Sequence, residues 1–185
     1  MSAQSFSTIE RMATASKESA DARKLALIIA NGSYRRPENE ISNCANNVNQ
    51  LTKSLQSMDF QVEKIVNKDK HEIISGVLDF IKKIQDGDVV FCYWLGQGSQ
   101  VDEKNYFLPA DDSCIQNERH IEEFAVEIEP LFKRLVKQNP SYATVLVLDC
   151  CRPYYLGRTS KPICELFSIY QYEIFRFVFR VKLMD

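Results

Sequence analysis

The chain has 185 residues, 45% hydrophobic and 26% charged, the balance of one ordinary globular domain large enough to bury a core. A formal net charge of −2 gives no electrostatic case for nucleic acid or an anionic membrane. No apolar run approaches the roughly 20 residues that a membrane helix needs.

Residues 1–23 are polar and lack the apolar stretch of a signal peptide. They read as a flexible arm, and the protein reads as intracellular, in the cytoplasm. Six cysteines (Cys44, Cys92, Cys114, Cys150, Cys151 and Cys164) are irregularly spaced, and two are adjacent. A reducing compartment argues against a disulfide framework. There is no C-x-x-C pair, and His71 and His120 are the only histidines, so zinc spacing is absent and no metal or cofactor is expected. Most of these thiols read as small buried apolar residues.

The first element is "KLALIIAN" (24–31), a short apolar run that ends in the turn signal "NGSY" and predicts a buried strand. Between residues 42 and 58, Val48, Leu51, Leu55 and Met58 recur at helical spacing. "FQVEKIVN" alternates as a second strand. Asp69 and Glu72 form a capping pair for a helix whose apolar face runs Ile73, Ile74, Val77, Leu78, Ile81 and Ile84. "DGD" at 86–88 ends it, with Gly87 suited to the helix C-terminus. "VVFCYWL" is the third strand, and "VDEKNYFLPADD" reads as a small hairpin or loop. "EPLFKRLVKQNP" starts another helix with Pro130 in its first turn, and "TVLVLDCC" (144–151) is the fourth strand.

Strands and helices alternate, and the strands are continuously apolar. That pattern predicts βαβ units with right-handed crossovers around a parallel sheet of at least four strands, covered on both faces. Ligands of such sheets bind at the carboxyl ends of strands. Two ends carry polar chemistry here: "LGQG" after the third strand and "DCCR" after the fourth. A thiol at one strand end with an imidazole at the next would make a cysteine protease. Cys151 is the candidate nucleophile. The place for its base holds Gln97, 54 positions earlier (151 − 97), close to the ~50-residue histidine-to-cysteine spacing of caspases.

From residue 24 to about residue 152 the chain resembles the large-subunit domain of the caspase superfamily, nearest in flavour to paracaspases and their bacterial relatives. "LALIIANGSY" resembles that family's first strand and turn. "NNVNQLTKSLQSMDFQV" resembles its first helix leading into the second strand. "GDVVFCYWLGQGSQVDEKNYFLPADD" resembles its strand, its "GHG" turn and the stretch "NYLLPVDA". "VLVLDCCR" resembles "ILDACR". Each match alone is weak, and four in order at correct spacing are specific.

The resemblance implies a caspase-like three-layer α/β sandwich, with the small-subunit region largely missing because only 34 residues (185 − 151) follow the cysteine. It implies Cys151 as nucleophile and the backbone N–H groups of Cys151 and Gly98 as an oxyanion hole. Gln97 stands where the catalytic histidine belongs. Of the two acids that help paracaspases read a basic anchor, one matches Asp149 and the other matches Asn47, which carries no charge. Asp149 can instead cap the strand end or pair with Arg152, and the "GQG" glycines can be a turn without chemistry.

Glutamine has no useful pKa, so it cannot take the thiol's proton or return one to the leaving amine. His71 is placed at the far edge of the sheet, and His120 reaches the site only if its loop folds over it. Cys150 beside Cys151 points to the opposite face of a strand and reads as packed core. The resulting expectation is a catalytically impaired caspase-like domain (24–152) that binds peptides or protein partners, another caspase-like protein among them. The alternatives are an active endopeptidase cleaving after a basic residue with an unrecognised base, and a broken fragment. The tail at 153–185 diverges from the family. Its alternation around Phe175, Phe177 and Phe179 suits a half-buried strand that covers the sheet edge.

Overall fold

Strand β1 (Lys24–Ala30) buries six of its seven residues, as a strand covered on both faces should. Residues 22–138 and 143–150 are described by the computed structural model, together with the backbone of Val178–Phe179. A 3₁₀ turn (Pro37–Asn39), helix α1 (Cys44–Ser57), strand β2 (Gln61–Val66) and helix α2 (Lys70–Lys83) follow β1. Next come β3 (Val89–Leu95), β4 (Gly98–Val101), β5 (Lys104–Phe107), α3 (Glu118–Phe124), β6 (Val126–Glu127), α4 (Ile128–Gln138), β7 (Thr144–Asp149) and β8 (Val178–Phe179).

The main sheet has the order β2-β1-β3-β7-β8, and every neighbouring pair is parallel. On one face Leu27, Ile29, Trp94, Leu146 and Leu148 pack against Ile73, Val77 and Phe80 of α2 and Leu131 and Leu135 of α4. On the other, Ile28, Ala30 and Leu95 pack against Cys44, Val48 and Leu55 of α1. This is the expected mainly parallel α/β sandwich. β8 pairs with β7 at Leu146↔Val178 and Val147↔Phe179, so at these two residues the chain does return beside the fourth strand. Residues 1–21 of the expected N-terminal arm and the rest of the tail lie outside the described residues, whereas Arg23, placed in that arm, is tied to Asp88 at the start of β3.

Local chemistry sets the element ends. Asp69 accepts from the Glu72 N–H at 2.8 Å, and Glu72 accepts from the Asp69 N–H at 3.3 Å, a complete capping box. At the end of α1, Asp59 takes a left-handed φ of 66° while the Phe60 N–H reaches back to the Leu55 carbonyl, the geometry that closes a helix. The proposed hairpin is real: β4 and β5 pair antiparallel around Asp102 and Glu103, with φ of 46° and 64°. Positive φ at both central residues gives the twist a two-residue hairpin requires. β6 adds a third strand to this small sheet.

Gly87 departs from expectation. The helix stops at Lys83 with Ile84 as its cap, and Gly87 serves the later turn into β3 at φ 89°. That turn is held by Asp88, which accepts from the Gln85 N–H at 2.7 Å and from Arg23 at 2.7 and 3.0 Å. Among the described residues no helix is long and apolar enough to cross a membrane.

Candidate functional site

The carboxyl ends of β3 and β7 lie level, because Leu95 is in register with Asp149. The Gly96 N–H donates to the Asp149 carbonyl at 3.3 Å, extending the pairing one step. Gln97 and Gly98 therefore start from the same sheet end as Cys150. Cys151 itself lies outside the described residues.

The glycines of "GQG" are explained by packing. A Cβ on Gly96 would sit 2.6 Å from the Phe107 ring and 2.8 Å from Tyr34 Oη. A Cβ on Gly98 would sit 2.9 Å from Cys150 Cβ. The hairpin thus lies directly on the strand ends, with Phe107 edge-on to Trp94 at 5.3 Å. Cys150 is buried within the core face, as expected from its place on the strand.

Gln97 is 2% exposed. Its Nε2 donates to the Asn39 carbonyl at 2.9 Å, its backbone N–H donates to Tyr34 Oη at 2.7 Å, and its carbonyl accepts from the Leu108 N–H at 3.0 Å. Its Oε1 is buried and has no partner among the described residues. The tie continues outward: Asn39 Nδ2 donates to Asp112 Oδ2 at 2.7 Å, and Asp112 Oδ1 accepts from the Arg36 N–H at 3.0 Å. Tyr34 and Asp112 end the matched stretches "LALIIANGSY" and "NYFLPADD" but carried no expected role there, and Asn39 lies in no matched stretch. They join Gln97 only across the fold.

Asp149 faces the α1 side of the sheet and is 7% exposed. Tyr93, on the same face of β3, donates its phenol to Asp149 Oδ2 at 2.6 Å. Burial pushes that phenol above its ordinary range, and the neighbouring carboxylate pushes it further. Cys44, at the start of α1, is near enough to feel Asp149. Its thiol is pushed up first by burial and then by that negative charge. Asn47 lies three residues further along α1 and is half-buried. Cys92 is fully in the core, where burial pushes its thiol up to about 12. Cys114 is exposed.

The two histidines occupy other places. His71 is exposed in the first turn of α2, which follows β2. β1 and β3 lie between β2 and β7, a lateral separation of about 14 Å at ordinary strand spacing. His120 sits in α3 with its ring edge-on to Phe124 at 5.9 Å, and its Nδ1 accepts from the Gln116 N–H at 3.3 Å. Among the described residues no cluster of His, Cys, Asp or Glu has the makings of a metal site.

The family model described as Caspase domain matches residues 23–169. The chain belongs to the caspase-domain family. It is also similar to Metacaspase-5 of Trypanosoma cruzi (strain CL Brener), 25% identical over 132 residues. That match covers 64% of this chain but 30% of the relative, so the chain spans less than a third of that protein's length. Within this caspase domain, the β3 and β7 ends bring Gln97, Gly98, Cys150 and Asp149 to one edge of the sheet.

Proposed function

We propose that this caspase-domain protein is a catalytically impaired member of its family that binds a peptide or protein segment at the β3–β7 end without cutting it. In this reading Cys151 holds the nucleophile's place, the Gly98 N–H belongs to the oxyanion hole, and Gln97 replaces the base. One observation carries it: the side chain at the base position is an amide, buried and bonded to the Asn39 carbonyl. An amide has no proton-accepting role near neutral pH. Loss of general-base help typically costs ~10²–10⁴-fold, and a thiol of ordinary pKa is only a few per cent thiolate at pH 7. The placement of His71 and His120 supports the same reading. Asp149 would receive a basic anchor of the bound segment weakly, because Asn47 on α1, matched to the second acid, carries no charge. Another caspase-domain protein is a natural partner class, and a reducing cytoplasm suits the cysteine-rich chain.

The test is a peptidase assay on basic-anchor peptides beside an electrophilic thiol probe. Wild-type protein should match the Cys151→Ala control in turnover, and Cys151 should label no faster than exposed Cys114. Cleavage that vanishes in Cys151→Ala would instead establish an active endopeptidase.

A further inference from the structure

The sequence holds one Asn-Gly pair, Asn31–Gly32, and the fold fixes both of its residues. Asn31 follows β1 and is 0% exposed. Its Nδ2 donates to the Lys68 carbonyl at 3.2 Å and the Leu108 carbonyl at 3.0 Å, and its Oδ1 accepts from the Lys68 N–H at 3.0 Å. Gly32 is required by space, since a Cβ there would sit 2.3 Å from Cys44 Cβ. Asn-Gly is the asparagine pair most prone to deamidate, because no Cβ on the second residue hinders attack by its backbone nitrogen.

The reaction balances with water alone. The Gly32 nitrogen gives up its proton and attacks Asn31 Cγ. The new N–Cγ bond closes a five-membered succinimide, the Cγ–Nδ2 bond breaks, and Nδ2 leaves as ammonia with that proton. Water then opens the ring at either carbonyl, giving an aspartate at position 31 or an isoaspartyl linkage.

The folded chain blocks both partners of the first step. The Gly32 N–H donates to Asn67 Oδ1 at 2.9 Å, which holds its proton, and the Ser33 N–H shares that acceptor at 3.1 Å. Three bonds keep the Asn31 amide from turning over the Gly32 nitrogen. All but the Leu108 bond end on Asn67 and Lys68, two exposed residues just past β2, with Asn67 at a left-handed φ of 51°. Opening this one turn therefore frees both reactants. The products do not fit back. An aspartate has no N–H for the Lys68 and Leu108 carbonyls and buries a charge beside them. An isoaspartyl linkage puts Cβ into the main chain, lengthening it where Gly32 meets Cys44.

We propose that Asn31–Gly32 is a self-modification site, shut by the Asn67–Lys68 turn, through which time spent open becomes permanent loss of the native fold.

The experiment holds the full chain at mildly alkaline pH, native or in urea, and follows the tryptic peptide 25–35 by mass spectrometry. Asn31 is the only side-chain amide in that peptide. In urea Asn31 should convert faster than Asn43, Asn49 or Asn117, and in the native chain at least about a hundredfold more slowly than in urea. Asn67→Gly permits the left-handed turn and removes the acceptor. It should speed native conversion about tenfold, the scale of one hydrogen bond, and leave the rate in urea unchanged. Asn31→Asp, which makes one product directly, should fall well short of the wild-type urea midpoint. Native conversion as fast as in urea, an Asn31 no faster than the other asparagines in urea, or an unchanged native rate in Asn67→Gly would overturn the guarded site. A wild-type midpoint in Asn31→Asp would overturn the permanent loss. Should Asn67→Gly fail to fold, wild type in urea below its unfolding transition decides. Conversion there should rise with amide exchange of Gly32, and conversion that stays flat while Gly32 exchange quickens overturns the role of the turn.

Discussion

The amide of Gln97 donates to the backbone carbonyl of Asn39 at 2.9 Å, across 58 positions of sequence. That bond ties the strand end to the loop between β1 and α1, and Asp112 fixes the same loop through Asn39 and the Arg36 N–H. Gln97 is therefore a structural tie at the carboxyl end of β3, the place that the proposed reading gives to the missing base. Among the described residues it keeps one side-chain bond and leaves one buried acceptor unpaired.

The tie can be measured. Gln97→Ala leaves the Asn39 carbonyl unpaired and a void behind it, and should cost about 1–3 kcal/mol in urea denaturation. Gln97→Met fills most of the volume and removes the orphan Oε1, so it should cost less than Gln97→Ala. Amide exchange of Glu40 and Ile41, which bond within this loop, should quicken in Gln97→Ala. Unchanged exchange there would mean that Asn39 is held without Gln97.

Gly98 makes a second, steric prediction. Its missing Cβ leaves room for Cys150 at 2.9 Å, and the obstructing atoms are a Cβ and, at 3.4 Å, a backbone oxygen, neither able to swing away. Gly98→Ala should destabilise by about 1–3 kcal/mol, the usual cost of overpacking a filled region. Gly87→Ala is the contrasting case: nothing lies within 4 Å, and only its φ of 89° resists. It should cost about 1 kcal/mol. A double-mutant cycle with Cys150→Gly, which removes the Cβ that Gly98→Ala would meet, should recover part of the loss in Gly98→Ala and none in Gly87→Ala.

Much of the scaffold was legible because it depends on neighbours in sequence. Apolar runs such as 24–30 marked buried strands, and Asp69 with Glu72 marked a helix start three residues apart. Gly87 was misread because a glycine after a helical stretch serves the helix end or a later turn equally well. The choice was made by Asp88, which Arg23 holds from 65 positions away. The site was legible only in outline. The paired strand ends showed in "LGQG" and "DCCR", but Tyr34, Asn39 and Asp112 meet Gln97 only once β1, β3 and the hairpin are assembled. The Tyr93–Asp149 bond spans 56 positions and has no local signature.

The Arg23–Asp88 pair predicts a pH dependence. Burial alone would raise the Asp88 carboxyl, but hydrogen bonds from Arg23 and the Gln85 N–H, with the Arg23 charge, hold it below the ordinary carboxylate range. A carboxyl with a depressed folded pKa contributes stability above its unfolded value near 3.9 and loses it as pH falls through the lower folded value. Arg23→Met should therefore cost about 1–3 kcal/mol at pH 7, with Asp88 left half-satisfied. The gap between wild type and Arg23→Met should narrow below about pH 4. A gap of constant size from pH 7 to pH 2.5 would assign the loss to packing of the arginine stem.

Gln97→His tests whether restoring the base restores the chemistry. The imidazole is shorter in reach than the glutamine amide, and the space it would enter is closed by the Asn39 carbonyl and bordered by Tyr34. A histidine there has two options. It can donate one ring N–H to Asn39 as Gln97 does, which leaves the other nitrogen as an acceptor, but the shorter ring must then draw toward the loop to keep that bond. It can instead release Asn39, which loosens the loop. Either way the gain should fall short of the ~10²–10⁴-fold that a positioned base contributes. Peptides with basic anchors should show at most a trace of turnover over the Cys151→Ala, Gln97→His double variant. Combining Gln97→His with Asn47→Asp should raise binding of such peptides more than their cleavage, because the added charge acts on the anchor and not on the thiol. Recovery of the full base effect by Gln97→His alone would show that the tie to Asn39 yields freely, and that one substitution had silenced an otherwise intact protease.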